Sequence, residues 1–549
     1  MKKLIKIFSI AVLGFTTLIF PACEDMLDTD SGRILPEDEN NLNTPNDTVF
    51  SILGILSQVQ KLGDRYIILG ELRADLMDVT EFTNSDLREI NGLMNISPDN
   101  PYLNVEDYYS VINNCNYFVH KVDTTLKSQG KPLMLREYAL AKTIRAWTYM
   151  QLALNFGSVP FYLDPIIKLE DSEKEYPKKD IREIAGILID DLEPCADYGL
   201  PAYGDIEAGW GTMSTDYFLF PLRWVLGDLY MWRGESESDF VAAATHYATL
   251  INEKKYIISP DYPRIEWRTS SFLNYLDGWS MGIYSTSELI TVIPLAAKPN
   301  DGVVGTIYGL TGAGSTIPEK KQIKQSKRVD QLWEEQQYAF LPVNGTVAIY
   351  TNGDLRQKGS VYTSRYSDIS YISKLYPYYI SLCRSGLLYL RYAEAVNHAG
   401  KPGLAFAVLK YGLNNETLLN GSKVPPSEIA TGNEYIDIFK DEAFTTNIGI
   451  HSRGCGESHV NNSYIIPRSV INKQDSIDFV DTSILTELAL ETAFEGNRFH
   501  DLMRFSSRDN NSSLLANYIA LKHQDNWTQI IEYLSERENW FLPLPDSKK

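Results

Sequence analysis

From Asp47 onward the apolar residues of this chain recur at spacings of three and four. Val49, Ile52, Leu53, Leu56 and Val59 share one side of a helix, which marks the side turned to a core. The same period returns from Val105 to Val122 and from Leu133 to Phe156, where Gly157 and Pro160 stop it. Residues 221–256 read as two amphipathic helices joined at Gly234, the first carrying Leu226, Leu229 and Tyr230, the second Ala243, Tyr247 and Leu250. Their length and spacing predict an antiparallel pair of tetratricopeptide type. Residues 386–414 repeat it, with Ala393, Ala395, Gly400, Ala405 and Leu409 in comparable places. The expected fold is therefore mainly α, a tetratricopeptide-like α-α superhelix of degenerate, interrupted repeats. Between the pairs, residues 256–380 are rich in Tyr, Ser, Gly and Pro, with β-branched runs at Leu289–Leu295 and Gly345–Tyr350. Short strands and long loops are predicted there, and long ordered loops on a rigid scaffold are where binding resides. Helix is expected again after Ser483, followed by a Pro-limited extended tail, residues 540–545.

The first residues follow a different pattern. Lys2, Lys3 and Lys6 precede an uncharged apolar run, Ile7 to Phe20, shorter than the roughly 20 residues a spanning helix needs. Ala22 then stands before Cys23, so residues 1–22 read as a lipoprotein signal and Cys23 as the lipidated new N-terminus. Acyl chains on Cys23 would anchor the protein to a membrane, with residues 23–45 as an acidic tether.

The net charge is −20, and loss of the leader's lysines makes the mature chain more acidic still. No cluster of Lys and Arg offsets this, which argues against a nucleic-acid partner. Cys115, Cys195, Cys383 and Cys455 are widely spaced, leaving room for one or two disulfides in an exported chain. The 34 Tyr and 9 Trp are many for so polar a chain, so some rings are expected at the surface, where sugar and peptide sites use them.

Catalytic patterns are present but lack context. GWSMG, residues 278–282, matches G-x-S-x-G around Ser280, yet a strand-like run follows where a nucleophile elbow needs a helix. His451, Cys455 and His459 are four apart, like metal ligands on a helix, but Gly454 and Gly456 point to a tight loop instead. Asp28, Asp30 and Glu39 meet three positions of a calcium loop, with Arg33 where the turn glycine belongs. No phosphate-binding glycine pattern occurs, and no spacing singles out a carboxylate pair for a hydrolase.

ELALETAFEGNRFHDLMRF, residues 487–505, resembles the E-x-x-x-E-x-x-x-E-G-x-R-x-x-D-L-x-R signature of the SusD/RagB family of nutrient-uptake lipoproteins of the Bacteroides group. Glu487, Glu491, Glu495, Gly496, Arg498, Asp501, Leu502 and Arg504 all fall into place. LRYAEAVNHAG from Leu390, RAWTYMQLALNFGSVPFYLD from Arg145, SELITVIP from Ser287, GDLRQKG from Gly353 and the closing WFLPLP are also similar. On a helix, Glu491, Glu495 and Arg498 would pair along one side, with Asp501 and Arg504 extending the network, so the signature reads as scaffold.

The resemblance implies a helical SusD-like domain over residues 46–255 and a C-terminal SusD/RagB domain over 256–549 that contains the loop-rich stretch. It further implies a lipid-anchored protein on the outer face of the outer membrane, without cofactor or catalysis. Such a protein binds oligosaccharides, or peptides in the RagB branch, and passes them to a SusC-type TonB-dependent transporter. A surface hydrolase is the remote alternative. Candidate binding aromatics from the loop-rich stretches are Tyr203, Trp210, Tyr262, Trp267, Tyr275 and Trp279, with Tyr308 beside a glycine-rich run. The cluster from Tyr262 to Trp279 is the favoured site.

Overall fold

The computed structural model describes residue 42 and residues 44–208, 211–258, 288–313, 317–340, 347–363, 369–429, 432–456 and 458–544. Its helices follow the predicted periodicity closely. They include α1 (Pro45–Val59), α2 (Glu106–Lys121), α3 (Leu135–Phe156), α4 (Ile181–Leu192), α5 (Leu222–Arg233) and α6 (Glu237–Lys254). After the loop-rich stretch come α7 (Ser385–His398), α8 (Pro402–Lys410), α9 (Lys473–Glu491), α10 (Arg498–Arg508), α11 (Ser512–Ala520) and α12 (Trp527–Ser535). Each helix from α1 to α8 packs on the next in the chain, and α9 packs beside α7. The α5–α6 and α7–α8 pairs are the two predicted repeats, turning at Gly234 and Gly400, both with positive φ. One apolar core extends from Leu42 to Leu542 and joins both halves.

Local departures have plain causes. In α1 the buried stripe is Ile52, Ile55, Leu56 and Val59, while Leu53 is 46% exposed. A period of 3.6 turns Leu53 away from the stripe once Ile55 occupies it. Helix α3 is buried on every side from Ala139 to Phe156 and so is the central post rather than an amphipathic helix. Its polar side chains are satisfied inside: Arg145 donates to Asn116 Oδ1 at 2.7 Å and Asp191 Oδ2 at 2.6 Å, and Lys142 pairs with Asp191 at 2.8 Å. Asp180 caps α4 through a capping box with Glu183.

The strands are short and pair two by two among the described residues. They include β1 (Met77–Val79), β2 (Leu289–Pro294), β3 (Ile323–Gln325), β4 (Val361–Thr363), β5 (Ser370–Ile372) and β6 (Tyr379–Arg384). Pairing is antiparallel for β1 with β3, β2 with β6, and β4 with β5. A further strand spans Ile349–Asn352, two to four residues beyond the run expected there. The four described cysteines are buried and unpaired, so the disulfides the spacing allowed are not formed. Among the described residues, no helix is long and apolar enough to cross a membrane.

Candidate functional site

The C-terminal signature does not lie on one helix as its spacing suggests. Helix α9 ends at Glu491, a turn through Phe494 (φ 70°) and Gly496 (φ 91°) reverses the chain, and α10 starts at Arg498. The carboxylates therefore pair with distant cations instead of with one another's neighbours. Arg384 Nη1 and Arg453 Nη1 donate to Glu491 Oε1 at 2.8 and 2.7 Å, and Arg356 Nη1 reaches Glu491 Oε2 at 3.3 Å. Arg356 also donates to Glu487 at 2.8 Å and to Asp354 at 2.7 Å. Burial opposes ionisation of Glu491, but the guanidiniums of Arg453, Arg384 and Arg356 outweigh it and hold the carboxyl far below the usual range. Within the signature only Asp501 and Arg504 pair as expected, at 3.0 Å.

The same turn ties the ends of the chain together. Glu71, in a buried turn of π-helix (Ile68–Leu72), accepts the backbone N–H groups of Gly496, Asn497 and Arg498 at 2.9, 3.2 and 3.4 Å, and so caps α10. Burial pushes the Glu71 carboxyl up to about 8 despite those donors. Arg498 donates to both oxygens of Asp75, at 2.7 and 2.9 Å. A side chain at Gly70 would collide with the Gly496 carbonyl, and one at Gly496 with the Tyr66 ring. The glycine of the signature exists for this backbone-to-backbone contact.

A small crevice opens at the edge of this network. Tyr376, Tyr378 and Tyr379 form an aromatic cluster at the start of β6, with ring centroids 5.5 Å apart for the first pair and 5.2 Å for Tyr376 and Tyr379. Leu295 N donates to Tyr378 O at 2.7 Å, fixing this corner to the end of β2. Tyr308 lies near Tyr378. Asp64 accepts from Thr306 N and Oγ1 at 2.6 and 2.7 Å, holding the turn that carries Tyr308. Burial and then the neighbouring Tyr378 push the Tyr308 hydroxyl up. Beneath the rings is a crevice of about 50 Å³, walled by Ile67, Leu289, Tyr376, Tyr379 and Phe494 and ending at Lys374, Arg384 and Glu495. It has room for a water or two, not for a sugar ring.

Lys374 sits 2.5 Å from Glu495 and donates to Glu491 O at 2.7 Å. Its burial, opposed by Glu495, pulls the ammonium down to about 8. On the paired strands β4 and β5, Tyr362 and Tyr371 lie 5.1 Å apart, and Phe82, beside β1, is 43% exposed. Gln322 N donates to Leu310 O at 2.8 Å, linking the Tyr308 turn to the segment entering β3.

Of the candidates named from sequence, Tyr308 lies near Tyr378. Tyr203 does not; it is half-buried against the core, next to Glu137. Trp210, Tyr262, Trp267, Tyr275, Trp279 and Ser280 lie outside the described residues, as do Cys23, Asp28, Asp30 and Glu39. His451 is buried, with Nδ1 2.8 Å from Glu487 and its ring stacked on Tyr464 at 3.9 Å. Cys455 ends a short helix, Ser452–Cys455, where a loop was expected. The side chain of His459 lies outside the description, and no metal-binding cluster occurs among the described residues. The tyrosine run at residues 376–379 was missed because a single motif does not mark it. Its signal was three tyrosines around Pro377 just before a strand.

This architecture is that of a known class of helical proteins. The model of the SusD family matches residues 218–548, and the chain belongs to that family. A SusD superfamily protein from Bacteroides vulgatus is 16% identical, with a TM-score of 0.60 over 92% of this chain and 96% of its own. Another from Bacteroides thetaiotaomicron is 15% identical, with a TM-score of 0.54 and the same coverage. A SusD-like carbohydrate-binding protein from Bacteroides fragilis is 15% identical, with a TM-score of 0.52 over 86% of this chain and 88% of its own. No curated protein sequence matches this chain.

Proposed function

We propose that this protein is a cell-surface lipoprotein that captures oligosaccharides and hands them intact to a SusC-type TonB-dependent transporter. The observation that carries the reading is the tyrosine pair Tyr376 and Tyr378, with Tyr308 near Tyr378, on a chain of the SusD family. Aromatic planes suit the apolar side of a sugar ring, and the polar side chains Lys374, Arg384 and Glu495 line the crevice beside them. Sugar is favoured over peptide by this pairing of flat rings with hydrogen-bonding groups. The likeness to a carbohydrate-binding relative supports the same choice. In this reading Cys23 is the lipid anchor, residues 46–255 form the helical half, and residues 256–549 supply the binding face.

Titration calorimetry of the purified protein with short oligosaccharides and with peptides tests it. Replacing Tyr376 and Tyr378 by Ala is expected to weaken sugar binding about tenfold or more, since each stacked ring is worth about 0.5–1.5 kcal/mol. Equal affinity in the double variant, a preference for peptides, or release of new reducing ends would overturn the reading. Copurification with a barrel transporter from native membranes tests the partnership.

A further inference from the structure

A larger groove lies where the C-terminal segment crosses the end of α3, and it shares no residue with the tyrosine crevice. It encloses about 630 Å³, within the roughly 300–1,000 Å³ range of small-ligand sites. Leu93, Phe156 and Leu542 are buried and form its floor. What a ligand would meet is different: the half-buried rings of Tyr533 and Phe541, and the exposed side chains of Asn95, Ser158, Arg537 and Glu538.

The walls are fixed from behind. Gly157, with φ 76°, ends α3 and leaves space for the Phe541 ring, which a Cβ there would approach to 3.0 Å. Leu542 N donates to Asn155 O at 2.8 Å, and Arg73 donates to Trp540 O. Arg537 donates to Ser507 O at 3.2 Å and lies over the Trp540 ring at 5.4 Å. Across the groove, Leu93 and Asn95 hold left-handed φ values of 66° and 58°. Leu93 closes the helix Ser85–Gly92 and asparagine takes this conformation readily, so the two fix the turn that forms this wall.

We infer that this groove is a second carbohydrate site, built for a neutral oligosaccharide. Two aromatic faces set among an amide, a hydroxyl, a guanidinium and a carboxylate suit a sugar's apolar side and its hydroxyls together. One cation and one anion leave the groove without net charge, so a charged ligand gains no Coulombic advantage there. The inference shares the ligand class of the proposed function but none of its residues.

Hydrogen–deuterium exchange of the full chain tests it, using neutral oligosaccharide fractions from partial hydrolysis of starch, xylan and mannan at millimolar concentration. Protection is expected at residues 93–97, 156–158 and 533–543, both in the wild type and in the Tyr376→Ala, Tyr378→Ala variant. Ser158→Trp, which fills the groove from an exposed position, is expected to abolish that protection while leaving protection at residues 374–379. The paired variant Asn95→Ala, Glu538→Ala is expected to do the same without adding bulk. No protection at the three groove segments with any fraction, or protection that survives both variants, overturns the second site. Groove protection without any change at residues 374–379 would instead count against the tyrosine face alone.

Discussion

Single residues here are placed by electrostatics as much as by apolar burial. Glu394 is fully buried, yet Arg504 Nε and Nη2 donate to it at 2.8 and 2.6 Å and Arg508 Nη1 at 2.9 Å. Burial raises its pKa, but Arg504, Arg508 and Arg391 prevail and lower it to about 2. A carboxylate depressed in the folded state contributes stability above its unfolded value of about 4.3, and that contribution is lost as pH falls toward the folded value. Glu394→Gln is therefore expected to cost about 3–5 kcal/mol at neutral pH, by stranding buried guanidiniums. Urea unfolding should show the gap to the wild type narrowing between pH 4 and pH 2. A gap independent of pH would mean that packing, not charge, holds this residue. Glu71 has the opposite sign: raised to about 8, it makes the fold less stable as pH rises from about 4.5 toward 8.

At the scale of elements, helix pairing rests on close approach. Gly227 in α5 faces the Tyr247 ring of α6 so tightly that a Cβ would overlap it. Gly227→Ala is expected to lower stability by about 1–3 kcal/mol through overpacking, read as a lower thermal midpoint with unchanged helical circular dichroism. Helices of this kind were legible because their apolar period is long and their stops are marked. Gly157 ending α3 and Gly234 ending α5 stood where the sequence placed them. The break between α9 and α10 was not legible. Glu491, Glu495 and Arg498 carry helical spacing, and only the distant partners Arg384, Arg453 and Asp75 reveal that the spacing serves a turn. The tyrosine face was hidden for the same reason. Tyr308 and Tyr378 are 70 positions apart in sequence, and the turn that carries Tyr308 is held by Asp64, which belongs to neither segment.

At the scale of the whole molecule, the halves are not independent. The core is continuous from Leu42 to Leu542, and α6 packs on α7 across the loop-rich stretch. A chain ending at Asn497 would lose α10, leave Asp75 without Arg498, and uncover the buried turn Ile68–Leu72 on which α10 packs. It is expected to be degraded by dilute protease under conditions in which the full chain resists; a stable N-terminal fragment in that assay would show that the first half folds alone. The Glu71 cap has a further consequence for biogenesis. A polypeptide made amino end first contains Glu71 long before residues 496–498 are added to meet it. That contact can close only once nearly the whole chain is in place, which makes it a late event in folding.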